Sequence, residues 1–252
     1  AMDAMVRLAK RVEDLGYTRY WIAEHHNMRS IASSATQLLI QHTLANTKKI
    51  RVGSGGVMLP NHSPYLIAEQ YGTLETLYPN RVDLGLGRAP GTDVPTAMAL
   101  RRTKDLKTDF ERDLAELSGY FKGSNYVQAY PAHGLYLPFY ILGSSTDSAY
   151  LAAKLGLPYS FAAHFAPTMM ENAIAIYNRY FQPSAILDKP YVILGVNAIL
   201  ADTDEEAKRL STTMIQSFLN IVTSNQKGLM PPLQSEEAVW REFIATNKVP
   251  HF

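Results

Sequence analysis

Four short runs of the chain concentrate the side chains that could do chemistry. The first is Glu24-His25-His26-Asn27. An imidazole can take or give a proton near neutral pH, and a neighbouring carboxylate can orient it. The second is Gly53-Ser54-Gly55-Gly56. Glycines inside a strand weaken it, and they mark a bulge or the close approach of another group, such as a flat ring. The third is Gly85-Leu86-Gly87-Arg88-Ala89-Pro90-Gly91, where the planar guanidinium of Arg88 could hold an anion or a polar ring edge. The fourth is Gly143-Ser144-Ser145-Thr146-Asp147-Ser148, whose hydroxyls and free N–H groups at a helix start suit an anion. Each run also has a plainer reading: solvated histidines at a strand end, a barrel bend without ligand, an ion pair of Arg88 with a nearby carboxylate, and N-capping by Ser144 or Ser145.

All four runs stand at the ends of strands. Met5, Leu8, Ala9, Val12 and Leu15 repeat at helical spacing, and Gly16 follows as a C-terminal cap. A strand is expected over residues 19–23, a helix over 35–46, a strand over 50–59 and a helix over 65–78 that stops at Pro79. Strand 81–87 leads into the loop 88–93. Phe110, Leu114, Leu117 and Phe121 mark the next amphipathic helix, and a polar and aromatic connection runs over 123–137. Strand 138–143, a helix ending near Gly156, strand 157–163, helix 167–181 and strand 191–201 complete the alternation. Thr203-Asp204-Glu205-Glu206 resembles a capping box and opens a long helix.

Strands alternating with helices imply a parallel sheet, either an open doubly wound sheet or a closed barrel. No G-x-G-x-x-G follows an early strand, which favours the barrel. In a barrel the C-terminal strand ends converge on one mouth, so runs far apart in sequence can share a site.

The bulk numbers remove several function classes. With 252 residues, 46% hydrophobic and 19% charged, the chain can bury a large core. Its net charge of +1 argues against a general nucleic-acid binder. With no cysteine, disulfides, thiolate metal sites and cysteine nucleophiles are excluded. No apolar run reaches the ~20 residues of a membrane helix, and the first residues read as a helix, so a cytoplasmic protein is expected.

Three longer runs, 21–28, 52–64 and 81–91, resemble the luciferase-like flavin-dependent monooxygenases, and the resemblance continues through Leu142-Gly143-Ser144-Ser145 and residues 152–158. It reaches to about Asp204. It implies a (β/α)8 TIM barrel of the luciferase-like type, binding FMN at the mouth and using reduced flavin with O2 to oxygenate a small organic substrate such as an aldehyde. His25 falls at the family's catalytic histidine and Arg88 at an arginine contacting the flavin or its phosphate. Ser144, Ser145 and Ser148 fall where the family binds phosphate. Gly55 and Gly56 match a position where the family can carry a non-proline cis peptide beneath the ring. Gly87 stands where some luciferases carry a reactive cysteine, which bears on light emission and not on flavin binding. A separate flavin reductase and a homodimer are implied as partners, with no nucleic acid and no membrane. A deazaflavin in place of FMN remains within the wider superfamily.

An eight-stranded barrel needs more than the six strands expected here. The chain opens on what reads as a first helix and ends at His251-Phe252, so one barrel domain over 1–252 is expected, with its first and last strands missing. Two other readings stand beside the monooxygenase. One is a flavin-binding protein without catalysis. The other is a metal-dependent hydrolase on the same barrel, with Glu24, His25, His26 and His164 as possible ligands. Adjacent histidines on a strand point to opposite faces, which works against joint ligation.

Overall fold

The computed structural model describes residues 2–105, 107–223 and 228–247. His251 and Phe252 lie outside the described residues. Two compact units are present, Ala1–Asn27 with Ile31–Val196, and Met28–Ser30 with Asn197–Phe252.

The larger unit holds the sheet. Its strands are β1 (Arg19–Ile22), β2 (Arg51–Met58), β3 (Val82–Gly87), β4 (Phe139–Gly143), β5 (Tyr159–Phe161) and β6 (Val192–Leu194). They pair in chain order, and every pairing is parallel. A doubly wound sheet would reverse its strand order at a switch point. This sheet has no reversal, which is the progression of a (β/α) barrel wall. The crossovers are carried by α2 (Thr36–Asn46), α3 (Pro64–Leu77), α4 (Val94–Arg101) with α5 (Phe110–Lys122), α6 (Thr146–Leu155) and α7 (Met170–Tyr180), and α1 (Met2–Asp14) precedes β1. The smaller unit contains α8 (Asp204–Val222) and α9 (Glu236–Asn247). Thr203 caps α8 by accepting from the Glu206 N–H at 3.2 Å, the N-cap half of the expected capping box, while the Glu206 carboxylate accepts from Arg209. Among the described residues no helix is long and apolar enough to cross a membrane.

Strand alternation divides the sheet into two faces. Val52, Val57, Val82, Leu84, Leu86, Ile141, Tyr159 and Phe161 are buried with Ile40, Leu44, Ile67, Tyr71, Leu117 and Tyr177 in one apolar core beneath the helices. The opposite face is polar near the strand starts. There Asp83, fully buried, accepts from Arg19 Nε at 3.0 Å, Trp21 Nε1 at 3.0 Å and Arg51 Nε at 2.7 Å. Arg19 also donates to the Tyr140 hydroxyl at 2.9 Å. Three strands are thereby clamped by one carboxylate.

Between Ser54 and Val57 the register of β2 slips: three steps along β2 match two along β3, the signature of a bulge. The Gly55–Gly56 peptide in this bulge is cis. The Ser54 hydroxyl bridges the interrupted ladder, donating to the Gly85 carbonyl at 2.9 Å and accepting from the Gly85 N–H at 3.1 Å. The two strands also approach closely. A Cβ on Gly53 would lie 2.2 Å from the Asp83 carbonyl oxygen, and one on Gly85 would lie 2.2 Å from that of Ser54.

Several elements differ from the sequence expectation. The expected strand 157–163 narrows to Tyr159–Phe161, and the expected strand 191–201 pairs only over Val192–Leu194. Beyond it the Gly195 N–H donates to the Phe161 carbonyl and the Gly195 carbonyl accepts from the His164 N–H. The expected helix 167–181 opens as a single tight turn over Pro167–Met169 before α7. Helices α4 and α9 were not expected.

Candidate active site

Because every strand is parallel, the ends of β1, β2, β3 and β4 lie along one edge of the sheet. The first run follows β1, the third and fourth span the ends of β3 and β4, and the Gly53–Gly56 run lies inside β2, where Ser54 is level with Ile22, the last residue of β1. Hydrogen bonds then tie their loops together. His25, just beyond β1, meets the Gly91 carbonyl through Nδ1 at 3.4 Å. A carbonyl can only accept, so Nδ1 carries the proton and Nε2 keeps the lone pair. The same carbonyl also receives the His26 N–H, and Thr92 donates to the His26 carbonyl at 3.2 Å. Gly91 has φ +62°, and a Cβ there would stand 2.9 Å from the Glu24 carbonyl oxygen. Only glycine fits both the left-handed turn and the approach.

Asp93 secures the far side of this loop. It caps α4 by accepting from the Thr96 N–H at 3.0 Å and also accepts from Asn27 at 3.0 Å. The Asn27 amide and the Thr96 groups hold its carboxyl down at about 2. The end of β2 joins through Asn61, whose amide donates to the Pro90 carbonyl at 2.7 Å.

Glu24 is the polar centre of the edge, and it is fully buried. Its Oε1 meets His26 Nε2 at 2.9 Å and His62 Nε2 at 2.8 Å, while Oε2 accepts the Met58 N–H at 3.1 Å. Burial pushes its pKa up, but the bonds from His62, His26 and Met58 outweigh burial, and the net displacement is downward. The carboxylate thus stays ionised. Its neighbour in sequence, His25, is not its partner.

Arg88 leaves the end of β3 and is exposed, 3.5 Å from Asp147 in the first turn of α6. Both side chains are more than half exposed, so the pair contributes little and its cation is readily diverted to another anion. Ser145 occupies the N-cap position of α6, yet its hydroxyl makes no capping bond. Simple N-capping by Ser145 is therefore not what occupies that hydroxyl. Ser144 is exposed beside it. Ser148 is placed differently. Its hydroxyl donates to the Ser145 carbonyl at 2.7 Å and lies 3.0 Å from the Tyr159 hydroxyl, which itself reaches that carbonyl at 3.1 Å. This internal triangle shapes the turn. A Cβ on Gly143 would fall 2.1 Å from Ser148 Oγ, which explains the glycine.

Gly55 and Gly56 lie in the β2 bulge, between β1 and β3. A Cβ on Gly56 would fall 2.8 Å from the Gly85 carbonyl oxygen, and one on Gly55 would fall 3.1 Å from Trp21 Cβ. Gly55 is the more exposed of the two. The edge thus offers a backbone wall, a guanidinium, an uncapped helix start and an imidazole with a free Nε2. Such groups could hold a flat phosphorylated ring.

The four residues offered as metal ligands are not gathered. His25 faces Gly91, His26 faces Glu24, and His164 Nδ1 lies 3.2 Å from the Gly195 carbonyl. Among the described residues no group of three or more His, Asp or Glu side chains is arranged to hold a metal ion.

The four runs singled out in the sequence approach one edge of the sheet. His62 reads from the sequence as a residue near a strand end that ranks below His25 and could line the mouth or cap a loop, whereas Glu24 as the hub of two imidazoles and Asp83 beneath three donors are not read from it. The signal for His62 was its place just after the end of β2; nothing local pointed to Asp83.

Comparison with known proteins agrees with this fold. The family model described as luciferase-like monooxygenase matches residues 1–249. A relative from Escherichia coli (strain K12), named luciferase-like monooxygenase, is 51% identical over 244 residues, covering 95% of this chain and 73% of that protein. The solved structure of apo-MsnO8 is 34% identical with a TM-score of 0.85, covering 100% of this chain and 73% of that one. Two more distant structures show the fold alone. The oxygenating constituent of 3,6-diketocamphane monooxygenase from Pseudomonas putida, in complex with FMN, has a TM-score of 0.68 at 18% identity and covers 98% of this chain and 78% of that one. An F420-dependent secondary alcohol dehydrogenase has a TM-score of 0.64 at 16% identity and covers 99% and 78%.

Proposed function

The chain belongs to the luciferase-like monooxygenase family, and from that premise we propose that it is an FMN-dependent monooxygenase that uses reduced flavin and O2 to oxygenate a small organic substrate such as an aldehyde. One observation carries the reading. His25, the cis Gly55–Gly56 wall, Arg88 and the start of α6 share one edge, with the β1 loop bonded to the β3 loop and Arg88 paired to α6.

In this reading the ring rests against Gly55 and Gly56, where the backbone presents no side chain to push it away. Arg88 turns from Asp147 to the phosphate, a change that sacrifices only an exposed pair. Ser144, Ser145 and the first N–H groups of α6 complete the phosphate site, with the helix dipole adding to the attraction. Ser148 contributes by holding the turn in shape. His25 gives or takes a proton through Nε2, its ring fixed by Gly91. When bound, the flavin supplies the oxygen chemistry, and the protein orients the reactants and excludes water.

The reading extends to a separate flavin reductase, since the given sequence carries no nucleotide-binding motif for NAD(P)H, and, by analogy with the family, to a cytoplasmic homodimer. Titration with FMN, reduced FMN and a deazaflavin tests the cofactor. Saturable binding of FMN in either redox state is expected, and its absence would contradict the proposal. Supplying reduced FMN, O2 and a panel of aldehydes then separates catalysis from mere flavin storage, because storage predicts binding without substrate consumption.

A further inference from the structure

The Glu24 knot has an atomic consequence that depends only on donors and acceptors. An ionised carboxylate accepts and cannot donate. Its Oε1 faces the Nε2 atoms of both His26 and His62, so each ring must carry its proton on Nε2. That leaves the lone pair of each neutral ring on Nδ1. Among the described residues, neither Nδ1 has a hydrogen-bond partner. The two side chains are 13% and 23% exposed, against 1% for that of Glu24, so the rings reach solvent while the carboxylate does not.

We propose that Glu24 is a positioning residue that locks His26 and His62 in the Nε2–H form, and so makes their Nδ1 atoms two further proton acceptors at the mouth that holds His25. The tautomer lock stands on the geometry alone; its part in turnover rests on the monooxygenase reading above. The third contact gives the lock its direction. Glu24 Oε2 accepts the Met58 backbone N–H, and that donor cannot reverse. In Glu24→Gln the amide oxygen must stay with Met58, so the NH2 group turns to the imidazoles. Both rings must then offer a lone pair at Nε2 and carry the proton on Nδ1.

The test is long-range proton–nitrogen NMR of the histidine rings in the 15N-labelled protein, above the ordinary imidazole titration range. His26 and His62 are expected as Nε2–H in the wild type and as Nδ1–H in E24Q. A wild type with either ring as Nδ1–H, or as an even mixture, overturns the lock even if E24Q fails to fold. Retention of Nε2–H in a folded E24Q overturns it as well. These spectra need no flavin, so they decide the lock whether or not FMN binds. With reduced FMN and an accepted aldehyde, E24Q should lose about tenfold or more in kcat while its FMN Kd stays within about threefold. Inverted rings with unchanged kcat would overturn the role in turnover.

Discussion

The His25 imidazole is joined to the carbonyl of Gly91, a residue 66 positions later, at 3.4 Å. That contact crosses from the end of β1 to the loop after β3, and it sets which nitrogen of His25 is free to act. A proton-transfer group so placed predicts a separation of binding from turnover. His25→Ala should lower kcat by about 10²–10⁴-fold, with FMN affinity changed by less than about threefold. Equal losses in both would assign His25 to binding.

Gly91→Ala tests the other partner. The added methyl meets the Glu24 carbonyl at 2.9 Å and the turn requires φ +62°. The left-handed conformation alone costs about 1–2 kcal/mol for a residue with a Cβ, and the close approach adds to it. Urea unfolding should show at least that loss, and the His25 ring resonances should shift with it.

Ser54→Ala addresses the bulge. Its hydroxyl both donates to and accepts from Gly85 in a fully buried position. Removal leaves a backbone N–H and C=O without that partner, at a cost of about 1–3 kcal/mol for each group left unsatisfied. A urea midpoint equal to the wild type's would show that the ladder closes without the hydroxyl.

These sites differ in how far the chain could be read in advance. Alternating strands and helices placed His25, Arg88 and Ser145 after parallel strands and Gly55 within β2, just beyond the level of the end of β1, and the parallel rule then brought them toward one edge. Local residue type carried that inference. The partnerships of Glu24 and Asp83 were not legible, because Asp83 collects Arg19, Trp21 and Arg51 only once the register of three strands is set. Glu24 reads as a partner for adjacent His25, yet the turn at the strand end sends it instead to His26 and His62. Likewise Ser148 has the composition of a phosphate ligand, and only its spacing to the Ser145 carbonyl and Tyr159 reveals its internal use.

Asp93 predicts a pH dependence. Its folded pKa of about 2 lies below the ordinary aspartate value of about 3.9, with the Asn27 amide first among the causes. A group depressed on folding stabilises fully above its unfolded pKa, and that contribution is lost as pH falls through the folded one. Between about pH 4 and 2 the wild type should therefore lose stability that Asp93→Asn has already lost. Parallel acid-unfolding curves for the two proteins over that window would contradict the assignment.

The central claim is that a phosphorylated flavin sits where Arg88 and the start of α6 meet the glycine wall. The most direct measurement compares the Kd of FMN with that of riboflavin, which lacks the phosphate, for the wild type and for Arg88→Ala. FMN should bind the wild type about tenfold or more tightly than riboflavin, and the ratio should collapse in Arg88→Ala while riboflavin affinity holds. Equal affinity of the wild type for the two flavins, or a ratio untouched by the substitution, would contradict the account.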